Sequence, residues 1–161
     1  LHWQGNPDHE FALSRGRSLP LQTLEPLAGI DDIEWISLQK GPGSEQINSG
    51  AFASRWHRQQ PLVSDTWDFE DTAAILGCCD LVISSDSGLA HLAGGLGRPV
   101  WLLLSWLPEW RWGLTGEHSG WYAQHRLYRQ PQEGDWDAVA LALERDLRTA
   151  VQKHRTRAQQ G

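Results

Sequence analysis

The segment Asp80-Leu-Val-Ile-Ser-Ser-Asp-Ser-Gly-Leu-Ala-His-Leu-Ala-Gly-Gly-Leu-Gly-Arg-Pro-Val-Trp-Leu-Leu-Leu104 has the pattern of a strand, a helix and a second strand. Its apolar run Leu81–Ile83 is typical of a strand buried on both faces. After a polar break, the apolar residues within 89–96 recur at three- and four-residue spacing, which is typical of one helix face. Val100–Leu104 follows a Gly-Arg-Pro sequence that ends the helix, and it predicts another buried strand. Such a unit has parallel strands and a right-handed connection.

The polar break after the first strand is the predicted ligand site. A sharp turn from a strand into a helix exposes unpaired backbone N–H groups at the positive end of the helix dipole, and both favour an anion such as phosphate. Gly88 permits close approach of a ligand, Ser87 adds a hydroxyl donor, and His91 follows one helical turn later. The competing interpretation is that Asp86 or Ser87 only caps the helix and that His91 is a satisfied interior histidine.

Composition excludes several classes of protein. The chain has 161 residues, a net charge of −6 and no basic stripe, which argues against nucleic-acid binding, because phosphate contacts dominate that affinity. No apolar run approaches the roughly 20 residues of a membrane span, and no signal peptide is visible. The adjacent Cys78 and Cys79 are poorly placed for a disulfide or a metal site, which predicts a reducing, cytoplasmic setting. The chain starts at Leu1 and has no methionine, so we expect a piece of a longer protein.

The remaining sequence alternates between strand and helix patterns, which predicts an α/β fold with a parallel sheet of about six strands. The predicted strands are Leu1–Gln4, Ile33–Leu38, Pro61–Val63, Leu81–Ile83, Val100–Leu104 and Leu127–Arg129. The predicted helices run from Ser18 to near Gly29, over Phe69–Cys79, over 89–96 and over Asp135–Lys153. We expect one folded domain at 1–153, followed by a frayed polar tail at 154–161.

Several loops follow the predicted strands and would lie at the edge where open α/β sheets bind ligands. Lys40, in one of these loops, is either a solvated surface lysine or a contact to phosphate or ribose. The long connection Ser105–Tyr122 is rich in tryptophan, and covering a sheet edge explains most of these residues. Arg111 lies between Trp110 and Trp112, and a guanidinium held by stacking is a good bidentate clamp for phosphate or carboxylate.

The signatures of several other sites are missing from the sequence. No Gly-rich dinucleotide fingerprint follows the first strand, and no phosphate-binding loop of the Walker type is present. The serines lack the frame of a hydrolase nucleophile, and no His or Cys pair has metal-ligand spacing. A nucleotide-diphosphate site built from strand-end loops, without a required metal, is the remaining prediction.

The segment Asp86–Pro99 resembles the D-[TS]-G-x-x-H-L-A-x-x-L-G-x-P signature of the heptosyltransferase-like (family 9) glycosyltransferases. Shorter segments are similar to a bacterial branch in which this domain follows tetratricopeptide repeats. These segments are Trp3–Pro7, Ser37–Gly43, Asp71–Ala74, Pro108–Trp112 and Gly134–Trp136. The resemblance implies a Rossmann-like three-layer sandwich, the carboxyl-terminal half of a GT-B fold, whose amino-terminal acceptor domain is not part of this chain.

The resemblance also implies a nucleotide-diphospho-sugar as the donor substrate and no other cofactor. By position, Asp86, Ser87, Gly88 and His91 would lie at the donor diphosphate and sugar. The other positions that carry over are Gln4 and Gly5 at the diphosphate, Arg17 as the basic residue of the first helix, Lys40 near the ribose, and Thr66 and Trp67 beside the base.

Transfer with inversion needs a general base, which in this family lies in the amino-terminal domain. We therefore expect the isolated chain to bind a nucleotide without turnover. The sequence departs from the family at Ser87, where Thr is commoner, and at Lys40-Gly-Pro-Gly, which offers no ribose carboxylate before Glu45.

Two other functions compete with a donor-binding domain. One is a degenerate GT-B-like domain that acts as a protein-interaction module behind helical repeats, with the tryptophan-rich loop as its docking surface. The other is a GT-B-like epimerase, which needs additional catalytic carboxylates that have no clear place in the sequence.

Overall fold

The computed structural model describes residues 1–7, 10 and 16–159. Its regular sheet has three parallel strands in the order β1-β2-β3, with β1 at Val82–Ser85, β2 at Val100–Leu104 and β3 at His125–Arg129. Val82 lies opposite Val100 in this register, so the predicted strand-helix-strand unit with parallel strands is confirmed. The predicted strand at Leu127–Arg129 is also confirmed, two residues longer at its start.

Two extended segments lie beside β1 without forming regular strands. His2 forms a parallel bridge with Ser84. On the far side of that segment, the Leu1 amine donates to the Ile36 carbonyl at 2.7 Å, and the Leu38 N–H donates to the Leu1 carbonyl at 2.9 Å. This alternation is that of a parallel pair. The prediction of about six strands is therefore wrong, because the described residues contain three regular strands and these two shorter partners.

The predicted strand at Pro61–Val63 is a helix, α2, which spans Gln60–Asp65. Pro61 lies in its first turn, where the missing N–H costs nothing and the fixed φ suits a helix. The side chain of Gln60 makes the two hydrogen bonds to the Ser37 backbone that a neighbouring strand would otherwise make. Its Oε1 accepts from the Ser37 N–H at 2.7 Å, and its Nε2 donates to the Ser37 carbonyl at 3.0 Å.

The other helices are α1 at Glu25–Ala28, α3 at Phe69–Cys78, α4 at Gly88–Gly95 and α5 at Trp136–Ala158, and 3-10 turns occupy Leu21–Leu24, Ser44–Asn48 and Trp110–Trp112. Asp68 and Asp135 cap α3 and α5 through side-chain oxygens, in agreement with the predicted helix starts. Within the described ranges, no helix is long and apolar enough to cross a membrane.

Helix α5 continues past its predicted end at Lys153, so the predicted tail is helical as far as Ala158. Arg155 and Arg157 lie in its last turn, where positive charge is favourable at the negative end of the helix dipole. Arg155 also forms an ion pair with Asp32, which joins the end of α5 to the loop that contains Asp32.

Alternating side chains of the sheet enter two separate apolar cores. Ile83 and Leu103 pack with the residues of α1 and α5 on one face. Val82 and Leu102 pack with α3 and α4 on the other face. Helices therefore cover the sheet on both sides, and this three-layer α/β arrangement is compatible with a Rossmann-like fold.

Candidate functional site

The turn between β1 and α4 contains Asp86, Ser87 and Gly88. Ser87 is the N-cap residue of α4, with extended backbone at φ −155° and ψ 167°, but its side chain makes no capping hydrogen bond. Its Oγ lies instead 3.2 Å from the Oγ of Ser84. The first-turn N–H groups of α4 therefore have no side-chain partner from the cap residue, and they face the rim at the positive end of the helix.

Asp86 is a buried carboxylate at this rim, with 6% of its surface exposed. No hydrogen bond joins its side chain to another residue in the described part of the chain, but its charge acts on His91. Its carboxylate oxygens are not among the fully enclosed side-chain atoms that lack a hydrogen-bond partner, so they keep contact with the solvent at the rim. Asp86 is therefore the clearest candidate for a residue that binds a ligand rather than one that only supports the fold.

His91 is held by aromatic residues of the long connection. Its Nδ1 lies 3.0 Å from the hydroxyl of Tyr122, and its ring stacks on Trp112 at 5.2 Å between centroids. Burial lowers the pKa of His91 below its ordinary value, the charge of Asp86 opposes this change, and Arg111 adds to it. Asp86, His91 and Arg111 thus belong to one electrostatic neighbourhood.

Arg111 lies over one of its flanking tryptophans, with its guanidinium carbon 5.5 Å from the centre of the Trp110 ring. Its Nε is buried and makes no hydrogen bond with any residue in the described ranges. Trp112 does not stack on Arg111 in the way that the flanking positions suggest, and its ring lies instead between His91 and His125. The predicted clamp is therefore placed beside His91, and its role in binding an anion stays a prediction.

Tyr122, His125 and Trp112 form an aromatic wall behind His91. Tyr122 stacks on His125 at 4.7 Å, and His125 stacks on Trp112 at 5.8 Å. His125 is only 1% exposed, and burial lowers its pKa to about 4, an effect that a hydrogen bond to the Ala90 backbone opposes. Sequence reasoning missed Tyr122 and His125 because they are distant from His91 along the chain.

In the sequence, Gly94 is the feature of α4 that points to this aromatic wall. A Cβ built at Gly94 would lie 2.6 Å from the His125 ring and 2.7 Å from the Tyr122 ring, whereas a Cβ at Gly95 would meet nothing within 4 Å. The first glycine of the Gly-Gly pair in α4 is therefore needed for close packing against the aromatic wall.

Gln4 and Gly5 lie in the first rim loop and are tied to their neighbours. The Gly5 N–H, predicted at the diphosphate, donates to Ser18 Oγ at 2.9 Å. The Gln4 N–H donates to Gln39 Oε1 at 3.0 Å, and Gln39 Nε2 donates back to the Gln4 carbonyl at 2.9 Å. Arg17 pairs with Glu10 at 3.4 Å. Gln4 and Gly5 thus follow the segment next to β1, and the polar groups named here for all three residues are engaged inside the protein.

Lys40, Thr66 and Trp67 form a separate cluster at the end of α2. Lys40 Nζ donates to the carbonyls of Val63 and Ser64, the latter at 2.9 Å, and to Thr66 Oγ1 at 3.3 Å. It also lies 5.9 Å from the centre of the Trp67 ring, which is 76% exposed. Desolvation lowers the pKa of Lys40, and the charge of Asp65 opposes this change. The Lys40 side chain is therefore neither buried in the core nor freely solvated.

The segment order connects these clusters along one edge of the sheet. The residues that end at Lys40 pair with Leu1, the segment from Leu1 to Gln4 pairs with β1, and β1 leads into Asp86. The carboxyl ends of parallel segments meet at one edge, so the three rim loops lie side by side. Across residues 1–7, 10 and 16–159, no group of three or more His, Cys, Asp or Glu side chains is arranged to hold a metal ion.

The fold and this edge define an α/β domain with a parallel sheet. At the carboxyl end of β1 lies a helix N-terminus without a side-chain cap. The model of glycosyltransferase family 9 (heptosyltransferase) matches residues 51–132, just over half of the chain. The chain belongs to this family, and the predicted family membership is confirmed. The matched range includes Asp86, His91, Arg111 and the aromatic wall, but not Gln4, Gly5, Arg17 or Lys40.

One curated relative has a recognisable similarity to the chain. Protein FlbA of Caulobacter vibrioides (strain ATCC 19089 / CIP 103742 / CB 15) is 29% identical over an alignment of 137 residues, which covers 77% of this chain and 21% of FlbA. The chain therefore spans about a fifth of the length of that relative. No solved structure matches the chain.

Proposed function

We propose that this chain is the donor-binding domain of a GT-B glycosyltransferase, which holds a nucleotide-diphospho-sugar at the rim of its sheet. The observation that carries the proposal is the placement of Asp86 beside the uncapped start of α4, within the range that matches the family. Asp86 is largely buried, and its carboxylate makes no hydrogen bond with another residue in the described part of the chain. A protein of a glycosyltransferase family needs a place for an anionic donor, and this is the part of the described structure best suited to one.

The diphosphate is assigned to the N-terminal turn of α4. Backbone N–H groups and the helix dipole favour the phosphate oxygens, Ser87 Oγ adds a donor, and Arg111 supplies positive charge from the opposite connection. When the glycosidic bond to the diphosphate breaks, negative charge grows on the leaving oxygen, so the same groups stabilise the departing nucleoside diphosphate. Asp86 and His91 are assigned to polar groups of the donor near that bond.

The nucleoside is assigned to the neighbouring loops. The exposed ring of Trp67 offers a stacking surface for a base. Lys40, which is bonded to the end of α2, holds this loop and lies on the ribose side. Gln4, Gly5 and Arg17 complete the rim beside the diphosphate, but their present partners have to give up hydrogen bonds for direct contact.

Transfer itself is assigned to a complete GT-B enzyme. A base that deprotonates the acceptor hydroxyl, and with it inversion at the sugar, belongs to an amino-terminal domain in this proposal. Tetratricopeptide repeats and a cytoplasmic location are part of the same proposal. The isolated chain is expected to show no sugar transfer, so binding and not turnover is the property to measure.

The test is the thermal stability of the purified chain with ADP, GDP, UDP, CDP and dTDP, each with and without EDTA. A ligand that binds the folded state raises the melting temperature, by an amount that grows with ligand concentration. We expect one nucleotide to raise it in wild type, and Ser87→Ala and His91→Ala each to need a much higher nucleotide concentration for the same shift. The matched controls are Ser54→Ala and His154→Ala, at exposed positions outside the rim loops.

A shift of wild-type size in both rim variants, at the same nucleotide concentration, would overturn the assignment of the site to α4. No shift with any of the five nucleotides, from a chain with a cooperative melting transition, would overturn donor binding by this domain. A shift that disappears with EDTA would show that a metal is required, contrary to the metal-free binding proposed here.

A further inference from the structure

The hydrogen bond between His91 and Tyr122 can form in two ways, which differ in the ring nitrogen of His91 that carries the proton. Nδ1 lies 3.0 Å from the phenolic oxygen, while Nε2 makes no hydrogen bond with any residue in the described ranges. Burial lowers the pKa of His91, so the neutral ring with a single N–H is the relevant form near pH 7. If that N–H is on Nε2, His91 donates to an anionic oxygen; if it is on Nδ1, Nε2 can only accept.

We propose that Tyr122 is a positioning residue, which donates its O–H to Nδ1 of His91 and thereby keeps the His91 proton on Nε2, facing the ligand site. This inference rests on the proposed donor site for the identity of the ligand. Tyr122 does not itself contact the ligand in this assignment. It acts through His91.

The direction of the hydrogen bond follows from the chemistry of the two groups. The phenolic O–H is a good donor, whereas its oxygen is a weak acceptor because its lone-pair density is shared with the ring. The unprotonated nitrogen of a neutral imidazole is a good acceptor. The pair is therefore more stable with Tyr122 as donor and with Nδ1 as acceptor.

Tyr122 is held in place from several sides. Its ring stacks on His125 at 4.7 Å, and its N–H donates to Ser119 Oγ at 3.2 Å. Its carbonyl accepts from the His125 N–H at 3.0 Å. On the third side, the bare backbone of Gly94 leaves room for the ring. The hydroxyl is thus presented to His91 by a packed wall, which is what a positioning role requires.

The charged and titratable groups that face His91 leave this assignment unchanged. Asp86 lies on the turn before α4 and favours a positive ring, and Arg111 lies on the long connection and opposes it. His125, behind Tyr122, is held neutral by burial. The strength of the hydrogen bond from Tyr122 therefore sets the tautomer, because none of these groups makes a hydrogen bond to His91.

The first experiment measures the tautomer directly in the free chain. Two-bond 1H–15N correlation spectra distinguish the two forms of a neutral histidine, and His91→Ala identifies the signal of His91. We expect the Nε2–H form in wild type and a mixture of both forms in Tyr122→Phe. The control is Tyr128→Phe, which also removes a buried hydroxyl, one that donates to Asp146 at 3.1 Å.

Two results of this experiment would overturn the inference. The first is an Nδ1–H form in wild type, which would mean that Tyr122 accepts. The second is an unchanged His91 signal in Tyr122→Phe. Both readings come from the free chain without nucleotide, so they hold whether or not the proposed donor site exists.

The second experiment measures the dissociation constant of the nucleoside diphosphate that gives the largest melting shift. We expect Tyr122→Phe to weaken binding about three- to tenfold and Tyr128→Phe to leave it within about twofold. In the double variant Tyr122→Phe/His91→Ala, affinity should equal that of His91→Ala alone, because Tyr122 acts only through His91. Additive losses would assign Tyr122 an independent role and overturn the positioning role. If wild type binds none of the nucleotides, the donor proposal fails while the tautomer result still decides the role of Tyr122.

Discussion

Gln39 and Lys40 are adjacent, and each uses a polar side chain to fasten a rim loop. Gln39 is 5% exposed; its Oε1 accepts from the Trp3 and Gln4 N–H groups, and its Nε2 donates to the Gln4 and Pro42 carbonyls. Lys40 reaches the opposite way, to the carbonyls at the end of α2. Neither role is visible in the sequence, where both residues look like polar loop residues. Buried polar groups are seldom left without partners, and here they join two loops.

Replacing Lys40 by Met should lower the free energy of unfolding by about 1–2 kcal/mol, because the carbonyls at the end of α2 lose a charged donor. The control is Lys153→Met, at the exposed end of α5, which should change stability by less than about 0.5 kcal/mol. Urea unfolding of the three proteins measures this. Equal stability of Lys40→Met and Lys153→Met would show that Lys40 is a solvated surface residue.

Helix α4 packs against the aromatic wall through one glycine and not through its neighbour. In Gly94→Ala, the added methyl group meets the rings of Tyr122 and His125. The helix or the wall must move, and we expect a loss of about 1–3 kcal/mol. In Gly95→Ala, the added methyl group lies in open space, and the change should be neutral or stabilising by about 0.5–1 kcal/mol.

Thermal unfolding of the two variants checks this difference, since they lie side by side in the same helix. Similar melting temperatures for Gly94→Ala and Gly95→Ala would contradict the close contact between α4 and the wall. A lower melting temperature for Gly95→Ala alone would contradict it as well.

The long connection is fastened by Arg129, which lies in β3. Its guanidinium donates to the carbonyls of Trp112, Gly113, Thr115 and Gly116, with distances of 2.9 Å to Gly113 and Gly116. Residues 113–116 are exposed, and an exposed segment with few apolar contacts opens readily when such bonds are removed. We therefore expect Arg129→Met to increase amide hydrogen exchange by at least about tenfold in 112–116, while exchange in β2 stays unchanged.

The matched control is Arg145→Met, at an exposed position of α5. Hydrogen exchange followed by mass spectrometry resolves the loop from the core strands. An unchanged exchange rate in 112–116 of the Arg129 variant would contradict the bracing role. Faster exchange throughout the chain would show that Arg129 supports the whole fold and not this loop.

The whole molecule should lose stability on acidification because it buries neutral histidines. His125 has a pKa of about 4 in the folded chain, below the ordinary value near 6.5, so the unfolded chain takes up the proton first as the pH falls. The stability is complete above pH 6.5 and is lost as the pH falls towards 4. Between pH 7 and pH 5, His125 alone should account for a loss of about 2 kcal/mol. His2, with a pKa lowered to about 3, adds a loss of the same sign.

His125→Phe retains an aromatic ring in the wall and removes the titrating group. Urea unfolding at pH 7 and pH 5 should show that this variant loses about 2 kcal/mol less than wild type over that interval. His154→Gln, at an exposed helix position, is the control and should retain the wild-type pH dependence. The same pH dependence in His125→Phe and wild type would contradict the burial of a neutral His125.

Local patterns predicted the elements whose signals are contiguous. The apolar runs of β1 and β2 and the starts of α3, α4 and α5 were all predicted, within one residue, from adjacent residues. The strand predicted at Pro61–Val63 was wrong because an apolar triplet after proline also suits a first helical turn, and the tertiary position of Gln60 decided between them. The site residues at Asp86–His91 were named from the signature, but their ligand stays a prediction.

The sequence by itself determined the parallel strand-helix-strand unit, the helix start at Ser87 and the family of the protein, because each of these is written in residues that are neighbours along the chain. Only the tertiary structure decided that Tyr122 and His125 stand behind His91, that Arg129 fastens the long connection, and that side-chain amides replace strand pairing at Ser37. These contacts join residues that are far apart in sequence. They depend on how completed elements pack against one another, and no local periodicity carries that information.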